Sequence, residues 1–199
     1  MSEAFVALGS NLGDREENLR TALKHLEANG VEVVKVSTFI ETEPYGVTDQ
    51  PGFVNAVCQV KTELAPLELL RLLLSIEQEM GRVRLRRWGE RNIDLDLLLY
   101  GDACVVSEEL TLPHPDMQNR DFVLLPLAEI APEVVHPVLK KTIQQLKEEQ
   151  LPVVASALTG THGFVVDDLT FGISGVDAFK KMIIEKPENL SAIKRLVSI

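Results

Sequence analysis

The stretch IDLDLLLY at residues 93–100 alternates apolar and acidic side chains before it ends in an apolar run. Successive side chains of a β-strand point to opposite faces of the sheet. Asp94 and Asp96 therefore share one face, and the apolar side chains at positions 93, 95, 97 and 99 share the other. We predict a strand that buries its leucine face in a core and presents two carboxylates on the opposite face.

The chain before this strand alternates between strand and helix patterns. Asp14 and Glu17 have the spacing of a capping box, and Pro66 suits the first turn of a helix. Apolar or β-branched runs predict strands at residues 5–8, 31–43 and 53–64, and leucines at helical spacing predict helices at residues 15–29 and 66–80. This order predicts an α+β fold, a ferredoxin-like sandwich in which helices pack on one face of a mainly antiparallel sheet.

The pattern changes after this last strand. We predict a short strand at residues 103–106, a partly helical stretch at residues 116–130 that Pro126 interrupts, and a polar helix at residues 140–150. These segments extend the first domain beyond its alternating core.

The charge distribution divides the chain into two parts. Residues 152–199 carry five acidic and five basic side chains, so the net charge of −10 belongs to residues 1–151, which have 25 acidic and 15 basic side chains. We predict two domains, residues 1–151 and a small C-terminal subdomain at residues 152–199.

The composition of the 199 residues, 45% hydrophobic and 25% charged, is that of a globular protein and excludes a disordered tail, a collagen and a disulfide scaffold. The net charge of −10 disfavours nucleic acid as a partner. No apolar run approaches the roughly 20 residues that cross a bilayer, and residues 1–4 lack the pattern of a signal peptide. Cys58 and Cys104 lie far apart and have neither metal-binding nor redox spacing, so two reduced thiols are expected. Together these observations predict a cytoplasmic protein without a membrane partner.

The two carboxylates of residues 93–100 are candidate metal ligands. Parallel carboxylates repel each other unless a cation lies between them, and Mg²⁺ prefers one or two carboxylates together with phosphates and water. The alternative interpretation of Asp94 and Asp96 is a solvated strand face with two ordinary acids.

A run of arginines precedes the acidic pair. Half of the ten arginines of the chain fall within ten residues, at Arg82, Arg84, Arg86, Arg87 and Arg91. The planar guanidinium group suits phosphate, and glycines at positions 81 and 89 are typical of a loop. A cationic loop beside a carboxylate pair favours a polyphosphate site, and the alternative is a solvated loop that balances an acidic surface.

Two further segments carry candidate binding residues. Pro113 and Pro115 restrict the backbone around His114, which could contact a phosphate or be a structural loop residue. The segment Thr42-Glu43-Pro44-Tyr45-Gly46, with Phe53 and Asn55, offers aromatic faces and an amide for a flat heterocycle, or it forms an ordinary hairpin. The chain has no Walker A motif, so any nucleotide binds by another design.

Taken together, these stretches resemble the 6-hydroxymethyl-7,8-dihydropterin pyrophosphokinase family. The matching segments are ALGSNLGD at 7–14, ETEPYG at 41–46, DQPGFVNA at 49–56, GRVRLRRWGERNIDLDLLLYG at 81–101 and LPHPDMQNRDFVLLPLAEIAPE at 112–133. The resemblance implies a ferredoxin-like fold over residues 4 to about 150. It also implies transfer of the β,γ-pyrophosphoryl group of ATP to the hydroxymethyl group of the pterin, with release of AMP.

The resemblance assigns roles to particular residues. Asp94 and Asp96 match ligands of two Mg²⁺ ions, and Arg82 and Arg91 match catalytic arginines of a loop that includes Trp88. The expected ATP contacts are Glu77, Arg82, Arg91, Thr111, His114 and Arg120. The expected pterin contacts are Thr42, Pro44, Tyr45, Phe53, Asn55 and Phe122, with the pterin ring stacked between two of the aromatic residues.

Other readings remain open at this point. A Mg²⁺-dependent phosphotransferase for another heterocycle, or an inactive regulatory module, would use the same scaffold; RNA binding would predict aromatic residues where the strand has aspartates. The chain departs from the family at Leu74 and Glu109, where some relatives have glutamine and arginine. Residues 152–199 match no segment of the single-domain family and could serve in self-association or in docking.

Overall fold

A computed structural model describes residues 1–42, 51–81 and 92–150 of the chain. In this part of the chain, five strands form one antiparallel sheet in the order β2-β4-β1-β5, with β3 also paired to β4. The strands are β1 (Ser2–Ser10), β2 (Glu32–Val36), β3 (Ile40–Thr42), β4 (Phe53–Thr62) and β5 (Asp94–Tyr100). The predicted α+β class with an antiparallel sheet is confirmed.

Strand β1 lies between β4 and β5 and forms the centre of the sheet. Its residues Ala4, Val6 and Leu8 are buried on one face, and Phe5 is buried on the other. A strand that is apolar on both faces is typical of a sheet that is covered on both sides. The short apolar run predicted at residues 5–8 therefore marks the middle of a longer strand.

Helices α1 (Arg15–Ala28) and α2 (Pro66–Glu79) cover one face of the sheet. The Asp14 side chain accepts the backbone N–H of Glu17 at 3.1 Å and caps the start of α1. The Glu68 carboxylate accepts the backbone N–H of Ala65 at 2.7 Å at the start of α2. Both helices match their predicted ranges to within one residue because these end signals are local.

A second set of helices covers the other face, so the expectation of helices on one face only is wrong. The set comprises a 3₁₀ turn (Met117–Asn119), α3 (Asp121–Ile130) and α4 (residues 143–150). Val123, Leu124 and Leu127 of α3 pack in one cluster with Phe5 and Val57 of the sheet. Pro126 does not interrupt α3, because the proline is buried in the packed helix and the packing compensates for the hydrogen bond that it removes.

The strand predicted at residues 31–43 is divided into β2 and β3. Ser37 lies between them, and its hydroxyl accepts the backbone N–H of Val57 at 3.0 Å. The Glu129 carboxylate accepts both the backbone N–H of Thr38, at 3.0 Å, and its hydroxyl, at 2.7 Å. Side chains thus replace the ladder hydrogen bonds at this point, which a β-branched pattern does not reveal.

A small hairpin follows β5 and consists of β6 (Val105–Val106) and β7 (Thr111–Leu112). The short strand expected near residues 103–106 is therefore present as β6. The compact unit described here is Met1–Lys147. The predicted subdomain at residues 152–199 and the segments at residues 43–50 and 82–91 lie outside the described residues. Among the helices that are described, none is long and apolar enough to cross a membrane.

Candidate active site

One row of residues crosses the end of the sheet on the α3 side. Asp94 of β5 pairs with Gly9 of β1, and Gly9 pairs with Asn55 of β4. Directly opposite residues of antiparallel strands point to the same face. The carboxylate of Asp94 and the amide of Asn55 therefore rise from one surface, two strand spacings or about 10 Å apart at the backbone.

Gly9 keeps this row open. A Cβ atom at position 9 would lie 2.8 Å from the Asn55 Oδ1 atom and 3.7 Å from the Phe53 ring. A contact of 2.8 Å is closer than a carbon and an oxygen can approach without a shift, so any other residue would displace the Asn55 amide. The sequence pattern does not reveal this close approach, because the amide comes from another strand.

The amide end of the row gathers three predicted pterin contacts. Asn55 is only 7% exposed, and its Nδ2 donates to the Thr42 hydroxyl at 2.7 Å. Thr42 pairs with Phe53 across β3 and β4, so Thr42, Phe53 and Asn55 share one face. The other expected contacts at this end, Pro44 and Tyr45, lie outside the described residues.

Two side chains, one from the turn after β1 and one from the first residue of α1, fix the chain next to this end. The Asn11 side-chain amide donates to the carbonyl of Pro51 at 3.2 Å. The Arg15 guanidinium donates to the carbonyl of Gly52 at 2.9 Å and pairs with Glu41 at 2.7 Å. The residues that lead into β4 are thus held in place by the turn after β1.

The acidic end of the row includes a guanidinium group. Arg120 Nη1 lies 3.4 Å from Asp96 Oδ2, and Arg120 Nε donates to Asp116 Oδ2 at 3.0 Å. The Arg120 side chain is 17% exposed and lies over the Phe122 ring, 5.8 Å from the ring centroid. The structure therefore brings three of the predicted site residues together, namely Asp96, Arg120 and Phe122.

His114 is held in a fixed orientation near this cluster. Its backbone N–H donates to the carbonyl of Leu98 at 2.9 Å, and its Nδ1 accepts the backbone N–H of Asp116 at 3.2 Å. Nδ1 is therefore the unprotonated nitrogen, and Nε2 carries the proton as a donor. Burial lowers the pKa of His114, against the opposing charge of Asp96. Thr111 is exposed on β7, in the hairpin that precedes His114.

Glu77 connects α2 to the acidic strand. Its side chain is buried, with 3% of the residue exposed, and its Oε1 accepts the backbone N–H of Leu95 at 2.8 Å. Leu95 is the residue between the two aspartates, so Glu77 fixes the segment that carries them. Buried polar groups need hydrogen-bond partners, and this backbone N–H is one partner of the Glu77 carboxylate.

An ion pair that sequence reasoning missed links α2 to the β6–β7 hairpin. The Arg71 Nη2 atom lies 3.0 Å from both carboxylate oxygens of Glu109. The partners are 38 residues apart, and no local signal predicts the pair. Leu74 lies on α2, one turn after Arg71. The two departures from the family pattern are therefore close together, because Glu109 pairs with Arg71.

The donor set at the acidic end fits magnesium. Within residues 1–42, 51–81 and 92–150 there is no group of three or more His, Cys, Asp or Glu side chains that could form a closed metal site. Mg²⁺ does not need one, because it binds through one or two carboxylates and completes its shell with water and phosphate oxygens. Asp94 and Asp96 supply such a pair, and Arg82 and Arg91 lie outside the described residues.

Comparisons with known proteins show which family this chain belongs to. Residues 5–132 match the family model described as 7,8-dihydro-6-hydroxymethylpterin-pyrophosphokinase. A Haemophilus influenzae protein named 2-amino-4-hydroxy-6-hydroxymethyldihydropteridine pyrophosphokinase is 47% identical over 155 residues, which cover 76% of this chain and 97% of the relative. A Methylorubrum extorquens protein of the same name is 51% identical over 136 residues, 68% of this chain and 86% of the relative.

Solved structures show the same fold. A crystal structure described as HPPK-DHPS in complex with substrates is 13% identical, with a TM-score of 0.65 over 83% of this chain. The wild-type Plasmodium falciparum HPPK-DHPS is 16% identical, with a TM-score of 0.62 over 82% of this chain. This chain spans less than half of those two, at 45% and 46%. The family model and the relatives show that the chain is a member of the 7,8-dihydro-6-hydroxymethylpterin-pyrophosphokinase family.

Proposed function

We propose that this protein transfers the β,γ-pyrophosphoryl group of ATP to the hydroxymethyl oxygen of 6-hydroxymethyl-7,8-dihydropterin and releases AMP, a step of folate biosynthesis. The observation that carries the proposal is the row from Asn55 through Gly9 to Asp94. In this row Asn55 and Asp94 belong to one face of the sheet, and their backbones are about 10 Å apart. That spacing suits a flat bicyclic ring whose hydroxymethyl arm reaches toward the carboxylates.

The pterin binds at the amide end in this proposal. Asn55 can both donate to and accept from the edge of a heterocycle, and Thr42 already orients its amide group. Phe53 and Phe122 supply aromatic surface for the faces of the ring, and in this proposal Tyr45 and Pro44 add further surface. The ring stacks between two of these aromatic side chains.

The phosphates of ATP bind at the acidic end. Arg120 and His114 offer N–H donors there, and in this proposal Arg82 and Arg91 add their guanidinium groups. Thr111 and Glu77 complete the expected nucleotide contacts. Donors that are already oriented stabilise the negative charge that develops on the transferred group, and positioning supplies much of the remaining rate.

Asp94 and Asp96 would hold the two Mg²⁺ ions that the family resemblance implies. When bound, Mg²⁺ supplies positive charge against the phosphate oxygens. Without that charge the two aspartates would repel the phosphates, so their role is to hold the ions beside the hydroxymethyl arm. Glu77 keeps their strand in register by accepting the N–H of Leu95.

The finer architecture is part of the same proposal. We infer a ferredoxin-like arrangement for residues 1–151 and a separate small subdomain for residues 152–199, with self-association or docking as its role. Free thiols at Cys58 and Cys104 support a cytoplasmic location. Burial raises the pKa of the Cys58 thiol to about 12, so this cysteine is inert in the folded protein.

Nucleotide products distinguish this function from its alternatives. We expect AMP to form from ATP and Mg²⁺ only when 6-hydroxymethyl-7,8-dihydropterin is present. Release of ADP would identify an ordinary kinase on this scaffold, and a folded protein without any pterin-dependent product would identify a regulatory module or another substrate.

A paired substitution tests the acidic end. Asp96→Asn removes one carboxylate charge at almost constant volume, and we expect AMP release to fall by roughly 1,000-fold or more, the loss typical of a removed transition-state contact. Asp102→Asn makes the same chemical change at an exposed residue after β5 and should leave AMP release unchanged. Thermal unfolding of both variants shows whether the fold is retained.

A further inference from the structure

We propose that Asp116 is a positioning residue that holds the Arg120 guanidinium in its place beside Asp96. This inference rests on the proposed function, because it gives Arg120 a task at the phosphates. The partners of the Asp116 carboxylate in the described part of the chain are Arg120 and Asn119, so Asp116 acts on the site through Arg120.

The carboxylate of Asp116 uses both of its oxygens locally. Oδ2 accepts Arg120 Nε at 3.0 Å, and Oδ1 accepts Asn119 Nδ2 at 3.1 Å. These two bonds, together with the charge of Arg120, lower the pKa of Asp116. The group is therefore ionised at neutral pH and can serve as a permanent partner for the guanidinium.

The backbone of Asp116 is fixed as well. Its N–H donates to His114 Nδ1 at 3.2 Å, and its carbonyl accepts the backbone N–H of Asn119 at 3.1 Å in the 3₁₀ turn. The backbone that carries the Asp116 carboxylate is thus fixed, and the next residue, Met117, is buried in the core. A partner that is itself held by packing and hydrogen bonds can orient another group accurately.

The Arg120 guanidinium contacts two carboxylates at unequal distances. The Nε contact with Asp116 is 3.0 Å, and the Nη1 contact with Asp96 is 3.4 Å. Asp116 is the closer partner and binds the inner nitrogen, so Arg120 keeps its position when Asp96 takes part in other interactions. The outer nitrogens then remain directed toward the end of the row.

The anchored arginine has an energetic advantage. An unrestrained arginine loses the rotamer freedom of a long side chain when it binds a phosphate. Arg120 is only 17% exposed and is already held by Asp116 and by the face of Phe122. Most of that ordering has occurred before ATP arrives, which is the condition for efficient electrostatic stabilisation.

The test is a double-substitution cycle measured by pterin-dependent AMP release. Asp116→Asn keeps the backbone N–H to His114 and the side-chain volume but removes the charge that holds Arg120. We expect kcat/KM for ATP to fall by roughly 10-fold to 100-fold, the range for partners that orient a functional group. The KM for the pterin should change much less, because Asn55 and Thr42 lie at the other end of the row and only Phe122 contacts Arg120.

The cycle separates positioning from general destabilisation. In an Arg120→Ala background, adding Asp116→Asn should cause no further loss, since the carboxylate then has no guanidinium to hold. Losses that multiply would overturn the proposal, and so would an Asp116→Asn enzyme with full activity. Asp102→Asn serves as the matched control and should behave as the wild-type enzyme.

A spectroscopic readout does not depend on turnover. The Nε–H of a held arginine gives a distinct signal in a ¹⁵N–¹H correlation spectrum, and the signal of Arg120 is identified by its loss in Arg120→Lys. We expect Asp116→Asn to shift or broaden this signal and Asp102→Asn to preserve it. An unchanged signal in Asp116→Asn would overturn the proposal, whereas wild-type protein that releases no AMP would refute only the function proposed above.

Discussion

At the scale of single residues, Gly9 is the position where one methyl group has the most specific consequence. A Cβ atom there would lie 2.8 Å from Asn55 Oδ1 and would displace the amide that Thr42 orients. We expect Gly9→Ala to raise the KM for the pterin by roughly 10-fold, the equivalent of about 1.4 kcal/mol from weakened hydrogen bonds. Steady-state kinetics with the pterin and ATP varied in turn measures this effect.

The control for Gly9→Ala is a second glycine substitution. Gly101 has a φ of +46°, and nothing lies within 4 Å of a Cβ built there. Gly101→Ala should therefore lower the free energy of unfolding by about 1 kcal/mol through backbone strain and leave the KM for the pterin unchanged. If the two variants changed KM equally, the close approach of Gly9 to Asn55 would have no special role in binding.

Single residues also show how far sequence reasoning can reach. The shared face of Asp94 and Asp96 followed from the two-residue period of a strand, which is a local property. The tasks of Gly9 and of the Arg71–Glu109 pair could not be predicted, because their partners lie on other elements; Glu109 is 38 positions after Arg71. Contacts of that kind depend on sheet register and helix packing, which no local pattern contains.

At the scale of elements, the loop between α3 and α4 is organised around His136. Its Nδ1 accepts the backbone N–H groups of Val138 at 3.3 Å and Leu139 at 3.2 Å. His136 is 4% exposed, and burial lowers its pKa. The folded loop therefore requires the neutral imidazole, whereas the unfolded chain binds a proton more readily.

The sign of this linkage gives a pH prediction. The stability that His136 contributes is fully present above its ordinary pKa of 6.5 and decreases as the pH falls below that value. His136→Asn cannot titrate, but its side-chain oxygen can accept the same backbone N–H groups in a turn. We expect the free energy of unfolding of this variant to decline less between pH 7 and pH 5 than that of the wild type.

Denaturant unfolding at several pH values checks this prediction. Burial lowers the pKa of His114 as well, so some pH dependence should persist in His136→Asn. Identical slopes for the variant and the wild type would mean that His136 does not couple the loop to pH.

Elements also separate what was predictable from what was not. The two helices with local end signals, α1 and α2, were placed to within one residue. The division of residues 31–43 into two strands was missed, because it depends on Ser37 and Glu129, which bond to other parts of the fold. Pro126 was misread because tertiary packing outweighs a local preference.

At the scale of the molecule, the described fold has three layers. One cluster of buried residues lies between α1, α2 and the sheet, and a second lies between the sheet, α3 and α4. The helices of residues 116–150 could not be assigned to a face of the sheet from the order of elements. Their sequence shows which residues are apolar but not which face of the sheet those residues cover. Both faces of the central strand β1 are buried as a result.

The position of these two clusters in the described part of the chain leads to a prediction for truncated protein. The buried apolar residues of the described chain run from Ala4 to Leu146, and the Haemophilus influenzae relative is aligned over 97% of its length within a match of 155 residues. We therefore expect the chain ended after residue 151 to fold and to retain pterin-dependent AMP release. A chain ended after residue 130 loses Ile143 and Leu146 from the second cluster and should unfold at a lower temperature. Loss of activity in the longer truncation, with its melting temperature retained, would instead make residues 152–199 part of the catalytic unit.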